Sequence, residues 1–184
     1  MDDRPPYDPR QIANELIDLG REFMVDVTHL SLQKIVYFLH EAHLKEGRGP
    51  LCTGYFEAWK HGPVHPQLWS TFKAAGRLPI KHHAYGLDLE TGAPRSLEKI
   101  ADRKTRLYIL AEGARLLRTS APRLVGLSHA RGSPWDTVAP KIRGQREYGA
   151  RITNEMILKC RVGIMLPIDE SEADEEDLYE QPPS

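Results

Sequence analysis

The chain has 184 residues, of which 40% are hydrophobic and 28% charged, and its formal net charge at pH 7 is −1. These values are typical of a soluble globular protein, and the apolar runs are far too short to span a bilayer. The first ten residues are acidic and proline-rich, without the apolar segment of a secretory signal. We therefore expect one cytoplasmic domain with a sizeable core.

Charge is distributed unevenly along the chain. Asp169–Glu180 holds eight acidic residues and no Lys or Arg, so residues 1–168 carry a net charge of +7. Acidic blocks of this kind are usually solvated and disordered. We predict a disordered N-terminus over 1–7, a helical domain over 8–167 and a disordered acidic tail over 168–184. An alternative role for the tail is to screen a basic face or to dock on a basic partner.

The first two helices are predicted from caps and apolar periodicity. The pair Asp8-Pro9 begins a helix that reaches about Met24. Thr28 or Ser31 caps a second helix, roughly His29–Glu46, whose apolar face is wider than a surface helix needs. We expect this second helix to be the central one. Its charged residues are predicted to face outward: Lys34, Glu41 and Lys45.

The stretch Gly54–Phe72 contains two of the three tryptophans and the rigid pair Gly62-Pro63. Leu51–Phe56 has β-type residues beside a glycine and predicts a short strand. Gly62-Pro63 predicts a bend, because proline fixes its own φ and restricts the residue before it. Pro66 suits the first turn of the helix that follows. The stretch is therefore a strand, an aromatic corner, a turn and a helix.

The second half of the chain is mostly helical in pattern. Pro79–His83 predicts a short strand, and Gly86–Arg95 predicts an exposed, insertion-like loop. Helices are predicted over Arg103–Arg118, from Ser120, and from Thr153 to about Ile164. The whole pattern predicts a mainly α fold: a single compact domain of five to six helices with a small β hairpin or one to two short strands.

Histidines are the first candidates for chemistry. A metal-dependent hydrolase would draw its ligands from the residues of two neighbouring segments: His40, His43, His61 and His65, with Glu41 or Glu57. The spacing argues against this, because His40 and His43 are three apart and a zinc-binding helix needs ligands four apart. His82-His83 is predicted to be an exposed loop pair.

Other chemical motifs are weaker. Cys52 and Cys160 are far apart in sequence and have no CxxC partner. They permit one disulfide, but reduced thiols in a cytosol are favoured, and neither cysteine has an evident catalytic partner. Gly47–Gly49 lacks the remainder of a phosphate-binding loop. The basic strip, defined as Lys141, Arg143, Arg146 and Arg151, has one interleaved aromatic and favours a solvated face over a nucleic-acid site. A nucleic-acid-binding regulator stays an alternative. We expect no catalytic residue, no metal and no cofactor, which is typical of a binding module.

Five segments, in order, resemble the motifs of one family: Leu30–Leu39, Phe56–Trp59, His61–Val64, Leu127–His129 and Ser133–Trp135. The first is similar to an LQKLLYF-type helix, the next two to a feAW-x-x-GPV corner, and the last two to an LSH…SPW element. The chain thus resembles the Panacea domain, also described as the SocA-like or phage-associated GepA-like family, over about Ile12 to Met165. The loop Lys81–Lys99 and the acidic tail are not distinctive of that family.

The resemblance implies a mainly helical antitoxin of a bacterial or phage toxin–antitoxin system, which is not an enzyme. Its partner would be a cognate protein toxin, often encoded adjacently. Neutralisation would be direct or would pass through delivery of the toxin to a cytosolic AAA+ protease. The short apolar runs predict no membrane partner, and a nucleic-acid partner is disfavoured.

The motif residues are predicted to bind the partner or to define the fold: Lys34, Tyr37, Glu57, Trp59, His61, Gly62, Pro63, Val64, Trp69, Ser128, His129, Pro134 and Trp135. We favour a core role for Trp59 and Gly62-Pro63, since a fold-defining turn needs them whatever the partner is. The binding face would then include less marked residues, with the basic strip or the acidic tail as candidates.

Overall fold

The computed structural model describes residues 4–139 and 149–160. The helices are α1 Pro9–Glu22, α2 His29–Lys45, α3 Pro66–Phe72, α4 Arg103–Leu117, α5 Ala121–Ser128, α6 Pro134–Val138 and α7 Asn154–Lys159, with a 3-10 turn at Lys73–Ala75. The strands are β1 Phe56–Trp59, β2 Gly62–Val64, β3 Tyr85–Leu87, β4 Pro94–Ser96 and β5 Ala150–Ile152.

The first two helices begin where their caps predict. The Asp8 carboxylate accepts a hydrogen bond from the Arg10 backbone N–H, 2.9 Å away, and Pro9 opens α1. Thr28 is the N-cap of α2, and Ser31 completes a reciprocal capping box with it. These local contacts satisfy amide groups that no helical carbonyl can reach, so the sequence alone locates both helix starts.

Helix α2 is the central element, as predicted. It packs against α1, α3, α4, α5, α7 and β2. The prediction that Lys34 and Glu41 face outward was wrong, because both side chains are buried. A helix enclosed on nearly every side has no outward stripe for charged residues, so these two side chains must find partners inside the protein.

A three-stranded antiparallel sheet in the order β2-β1-β5 lies beside α2. The strand predicted at Leu51–Phe56 was misplaced, since β1 begins at Phe56. Gly62-Pro63 is not the turn but the start of β2, where Ala58 pairs with Pro63. Proline is compatible with this position because β2 is an edge strand of the sheet.

The predicted element count was wrong. In place of five to six helices with a hairpin or one to two strands, the described residues form seven α-helices and five short strands, and are mainly helical. Pro134 interrupts the apolar pattern, but it is the first residue of α6, which Ser133 caps. Gly86–Arg95 resembles a loop in sequence, yet it contributes to the hairpin β3-β4. In both elements proline is the first residue, a position that is compatible with its fixed φ and missing N–H.

Within these described ranges, no helix has the length and apolar character that crossing a membrane requires. Three residues of the basic strip, the predicted end of the last helix at Ile164 and the acidic tail lie outside the described residues. Tyr7, at the end of the predicted N-terminal segment, is buried and forms a parallel bridge with Cys52.

Candidate partner-binding site

Lys34 joins α2 to the start of β2. Its side chain is 0% exposed, and its Nζ donates a 3.0 Å hydrogen bond to the Pro63 carbonyl. Gly62 is the residue before this carbonyl, and its φ is +109°. Residues other than glycine rarely adopt this backbone angle. The lysine of the LQK motif and the Gly-Pro pair therefore form one contact, although 29 positions separate Lys34 from Pro63.

Gly62 also lies against α5. A Cβ at this position would lie 2.3 Å from the Ser128 Oγ and 3.1 Å from the Lys34 Cε. Ser128 is itself fixed, because its Oγ donates to the Val125 carbonyl at 2.8 Å and its own carbonyl accepts from the Ser133 Oγ at 2.9 Å. The absence of a side chain at Gly62 is thus required by α2 and α5 together.

Trp135 connects α6 to β1. Its Nε1 donates a 2.8 Å hydrogen bond to the Trp59 carbonyl, and its ring stacks on His129 with 3.7 Å between ring centroids. The Trp59 indole N–H donates to the Glu57 carboxylate at 2.8 Å, and the Trp59 ring packs 5.6 Å from that of Trp69. The predicted burial of Trp59 is confirmed.

The remaining predicted residues are buried or half-buried. Val64, His61 and Pro134 are buried, and Trp69 is half-buried. The buried Tyr37 ring packs edge-on against Phe56, 5.2 Å between centroids. Burial raises the pKa of the Tyr37 hydroxyl well above its ordinary value, and the nearby Glu41 carboxylate adds to this. Whether any of these side chains contacts a partner stays a prediction.

Gln33 lies within the LQK motif but is not among the predicted site residues. Its Oε1 accepts from the His65 backbone N–H at 2.8 Å, and its Nε2 donates to the His65 carbonyl at 3.4 Å. The amide side chain thus pairs with an extended residue as a neighbouring strand would. The His65 Nε2 contacts the Thr53 carbonyl at 2.9 Å. Only the position of Gln33, one residue before Lys34, gave a signal in the sequence.

The histidines do not converge. Across residues 4–139 and 149–160, no three His, Cys, Asp or Glu side chains come together in a way that could hold a metal ion. His43 Nδ1 contacts the Gly49 carbonyl at 2.7 Å, whereas His65 faces Thr53. Burial lowers the pKa of His40 to about 4 and that of His29 to about 4, so both are neutral at pH 7.

Cys52, His40 and Asn154 form a chain of contacts whose residue types match a thiol protease triad. Cys52 Sγ lies 3.2 Å from His40 Nδ1, and His40 Nε2 lies 2.9 Å from Asn154 Oδ1. However, the thiol is buried, and burial raises its pKa to about 12. His40 Nδ1 also accepts the Cys52 backbone N–H at 3.3 Å. A nucleophilic cysteine needs a lowered pKa and access, so this arrangement is structural.

Of the basic strip, only Arg151 lies in the described part of the chain. Its guanidinium lies over the Tyr55 ring, 4.0 Å from the centroid, next to the edge of the three-stranded sheet. This is a cation–π contact within the protein, of the kind worth about 0.5–1 kcal/mol at exposed sites. It gives no indication of a groove for nucleic acid.

The architecture is a helical domain whose most marked sequence motifs lock α2, β1, β2, α5 and α6 together. The family model "Antitoxin SocA-like, Panacea domain" matches residues 32–136, which include every one of those contacts to Lys34, Gly62 and Trp135. The chain belongs to this family of antitoxins. It is 35% identical over 155 residues to Antitoxin SocA of Caulobacter vibrioides strain NA1000 / CB15N, covering 84% of this chain and 82% of that protein. No solved structure matches the chain.

Proposed function

We propose that this chain is an antitoxin that binds a cognate protein toxin and neutralises it. Membership of the SocA-like, Panacea domain family carries the proposal, since a family of antitoxins implies a toxin as partner. The geometry supports a binding role. The motif side chains of the described residues serve internal contacts, which leaves the surface free to recognise a partner.

The proposed action is binding rather than catalysis. A buried thiol with a raised pKa and buried neutral histidines with internal partners are poor nucleophiles and bases. We also propose that the toxin is encoded beside this chain's gene, that the pair acts in the cytoplasm, and that neither nucleic acid nor a cofactor takes part. The domain boundary at residue 167 belongs to the same proposal.

Co-expression with the neighbouring gene product tests the function. We expect the neighbour alone to stop growth and the wild-type chain to restore it. The matched control is Gly62→Ala, which damages the fold without altering the surface and should restore growth poorly. A neighbour that is harmless alone, or that remains toxic beside the wild-type chain, would show the proposal to be wrong.

The route of neutralisation is either direct masking or delivery to an AAA+ protease. The same co-expression in hosts lacking single cytosolic AAA+ proteases separates the two. Direct masking predicts that rescue persists in every host and that toxin levels stay constant. Delivery predicts that rescue is lost in one host, where the toxin accumulates although the antitoxin is present.

A further inference from the structure

The hairpin β3-β4 exposes one uncharged face. Tyr85 pairs with Ser96 and Leu87 with Pro94, and these four residues share a face because alternate residues of a strand point the same way. All four are exposed, with Tyr85 at 54% and Leu87 at 69%. Leu89, in the turn that follows β3, is 98% exposed. We call Tyr85, Leu87, Leu89 and Pro94 the hairpin face.

The reverse side of the hairpin is attached to the domain. Asn14 of α1 exchanges two hydrogen bonds with the Ala84 backbone, at 3.0 and 2.8 Å. Arg10 donates to the Tyr85 carbonyl at 2.9 Å. Behind the sheet, a Cβ on Gly86 would lie 3.1 Å from Leu97, which packs on the core. The hairpin is thus held in place while its apolar face stays in water.

The turn gives the face an acidic border. Asp88 Oδ1 accepts three hydrogen bonds, from the Glu90 N–H and from the N–H and hydroxyl of Thr91. The Thr91 bonds lower the pKa of Asp88, so its carboxylate remains ionised well below pH 7. Glu90 is exposed beside it. Arg95, the nearby cation, lies opposite Gly86 on the reverse face, and its charge also lowers the pKa of Asp88.

Addition of a partner strand to the hairpin edges is disfavoured. Pro94 has no N–H to offer at the edge of β4, and Arg10 already occupies the Tyr85 carbonyl on β3. The side-chain face is therefore the surface available for recognition. An apolar centre with a charged border is the usual arrangement of a protein–protein interface.

We propose that the hairpin face is a docking surface for the cognate toxin, and that it receives an apolar side chain flanked by Lys or Arg. This inference rests on the proposed antitoxin function. The acidic border at Asp88 and Glu90 complements a basic partner. A second copy of this chain fits less well, because pairing two identical faces would bring two acidic borders together. The face acts as the centre of a larger contact, since a stable interface buries about 800 Å² per partner.

Binding of the purified neighbouring gene product to full-length variants tests the inference. Leu87→Asp and Leu89→Asp should each weaken binding about tenfold or more, because they place a charge at the apolar centre. Leu107→Asp is the matched control, a leucine of 54% exposure on α4, and should leave the affinity unchanged. Glu90→Lys should weaken binding most at low salt, whereas Glu22→Lys, exposed on α1, should not.

The possible outcomes test the docking surface separately from the proposed antitoxin function. Wild-type chain that fails to bind or neutralise the neighbour contradicts the antitoxin proposal. Wild-type binding that both leucine variants retain overturns only the docking surface. Leu89→Asp covers the case in which Leu87→Asp disturbs β3, because Leu89 lies in the turn. Analytical sedimentation tests for a dimer of this chain. If the wild type is a dimer, Leu89→Asp is a monomer and toxin binding is unchanged, the hairpin face binds a second copy, and the inference is overturned.

Discussion

The Lys34 ammonium lies 3.0 Å from the Pro63 carbonyl, inside the protein and without exposure to solvent. An unpaired carbonyl in such a place costs about 1–3 kcal/mol, and a buried ammonium without a partner costs more. The contact therefore explains why a lysine can occupy the centre of the most buried helix. It also ties that helix to the strand that begins at Gly62.

We expect Lys34→Met to lower the free energy of unfolding by about 1–3 kcal/mol, because methionine fills similar space but leaves the Pro63 carbonyl without this donor. Urea denaturation measures the change. Lys60→Met is the control, since Lys60 is exposed in the β1-β2 turn and should shift the midpoint little. A Lys34→Met protein as stable as wild type would contradict the structural role.

Gly62→Ala should be strongly destabilising. The added Cβ meets the Ser128 Oγ at 2.3 Å in a backbone conformation with φ at +109°. Backbone strain of about 1–2 kcal/mol and overpacking of about 1–3 kcal/mol should add to a loss of about 2–5 kcal/mol. Gly92→Ala has positive φ but open space around its Cβ, so it should show only the backbone cost.

A double-mutant cycle isolates the steric part. Ser128→Ala removes the hydroxyl that the new methyl would meet, so Gly62→Ala should cost about 1 kcal/mol less in that background. Chemical denaturation of the four proteins gives the coupling. Strict additivity would mean that Ser128 does not limit the space at Gly62.

Sequence reasoning was accurate where structure is decided locally. The caps Asp8 and Thr28 act within their own first turns, so the starts of α1 and α2 could be predicted. The burial of Lys34 could not, because it depends on a carbonyl 29 residues away. The hairpin was missed because its strands are three residues long and its stability comes from Arg10 and Asn14 on α1.

In the candidate site, too, the core residues could be predicted from the sequence and the exposed hairpin face could not. Trp59 and Gly62-Pro63 were predicted to be core residues from the rigidity of the motif, and all three are buried. The hairpin face had no signal, since exposure of Leu87 and Leu89 is set by tertiary packing. An alternating apolar pattern looks the same in sequence whether its face is covered or left in water.

Helices α1 and α2 end with the same pair of C-terminal hydrogen bonds, but the residue with positive φ is Met24 in α1 and Gly47 in α2. In α2, the Gly47 N–H bonds to Leu44 and the Arg48 N–H to His43. In α1, the Met24 N–H bonds to Arg21 and the Val25 N–H to Gly20, so Met24 stands where α2 has glycine, with φ at +55°. Its side chain is 93% exposed and gains little from packing.

Met24→Gly should therefore raise the free energy of unfolding by up to about 1 kcal/mol, the left-handed cost of methionine less the extra chain entropy of glycine. Thermal and urea unfolding measure it. Gly47→Met is the reverse experiment: space around its Cβ is open, so it should be destabilising by a similar amount. Equal stability of Met24→Gly and wild type would imply that Met24 gains a compensating contact in solution.

Stability should fall as the pH drops from about 6.5 towards 4. Burial, with the Lys34 charge, lowers the folded pKa of His29 to about 4, and burial lowers that of His40 to about 4. Below pH 6.5 these two histidines bind protons in the unfolded chain but stay neutral in the folded chain. The stabilisation present above pH 6.5 is therefore progressively lost. Each histidine should cost about 1–2 kcal/mol between pH 7 and pH 5.

Glu41 has the opposite effect on stability. Burial raises its pKa, so the folded state keeps the Glu41 proton at pH values where the unfolded state has already lost it. Its contribution therefore opposes that of the two histidines and should reduce the loss of stability as the pH falls. Urea denaturation at several pH values gives the slope, and His29→Gln should reduce it by close to one proton between about pH 6.5 and pH 5. The slope is the readout because it is insensitive to a constant loss of stability. An unchanged slope in both His29→Gln and His40→Gln would show that neither histidine is held neutral by the fold.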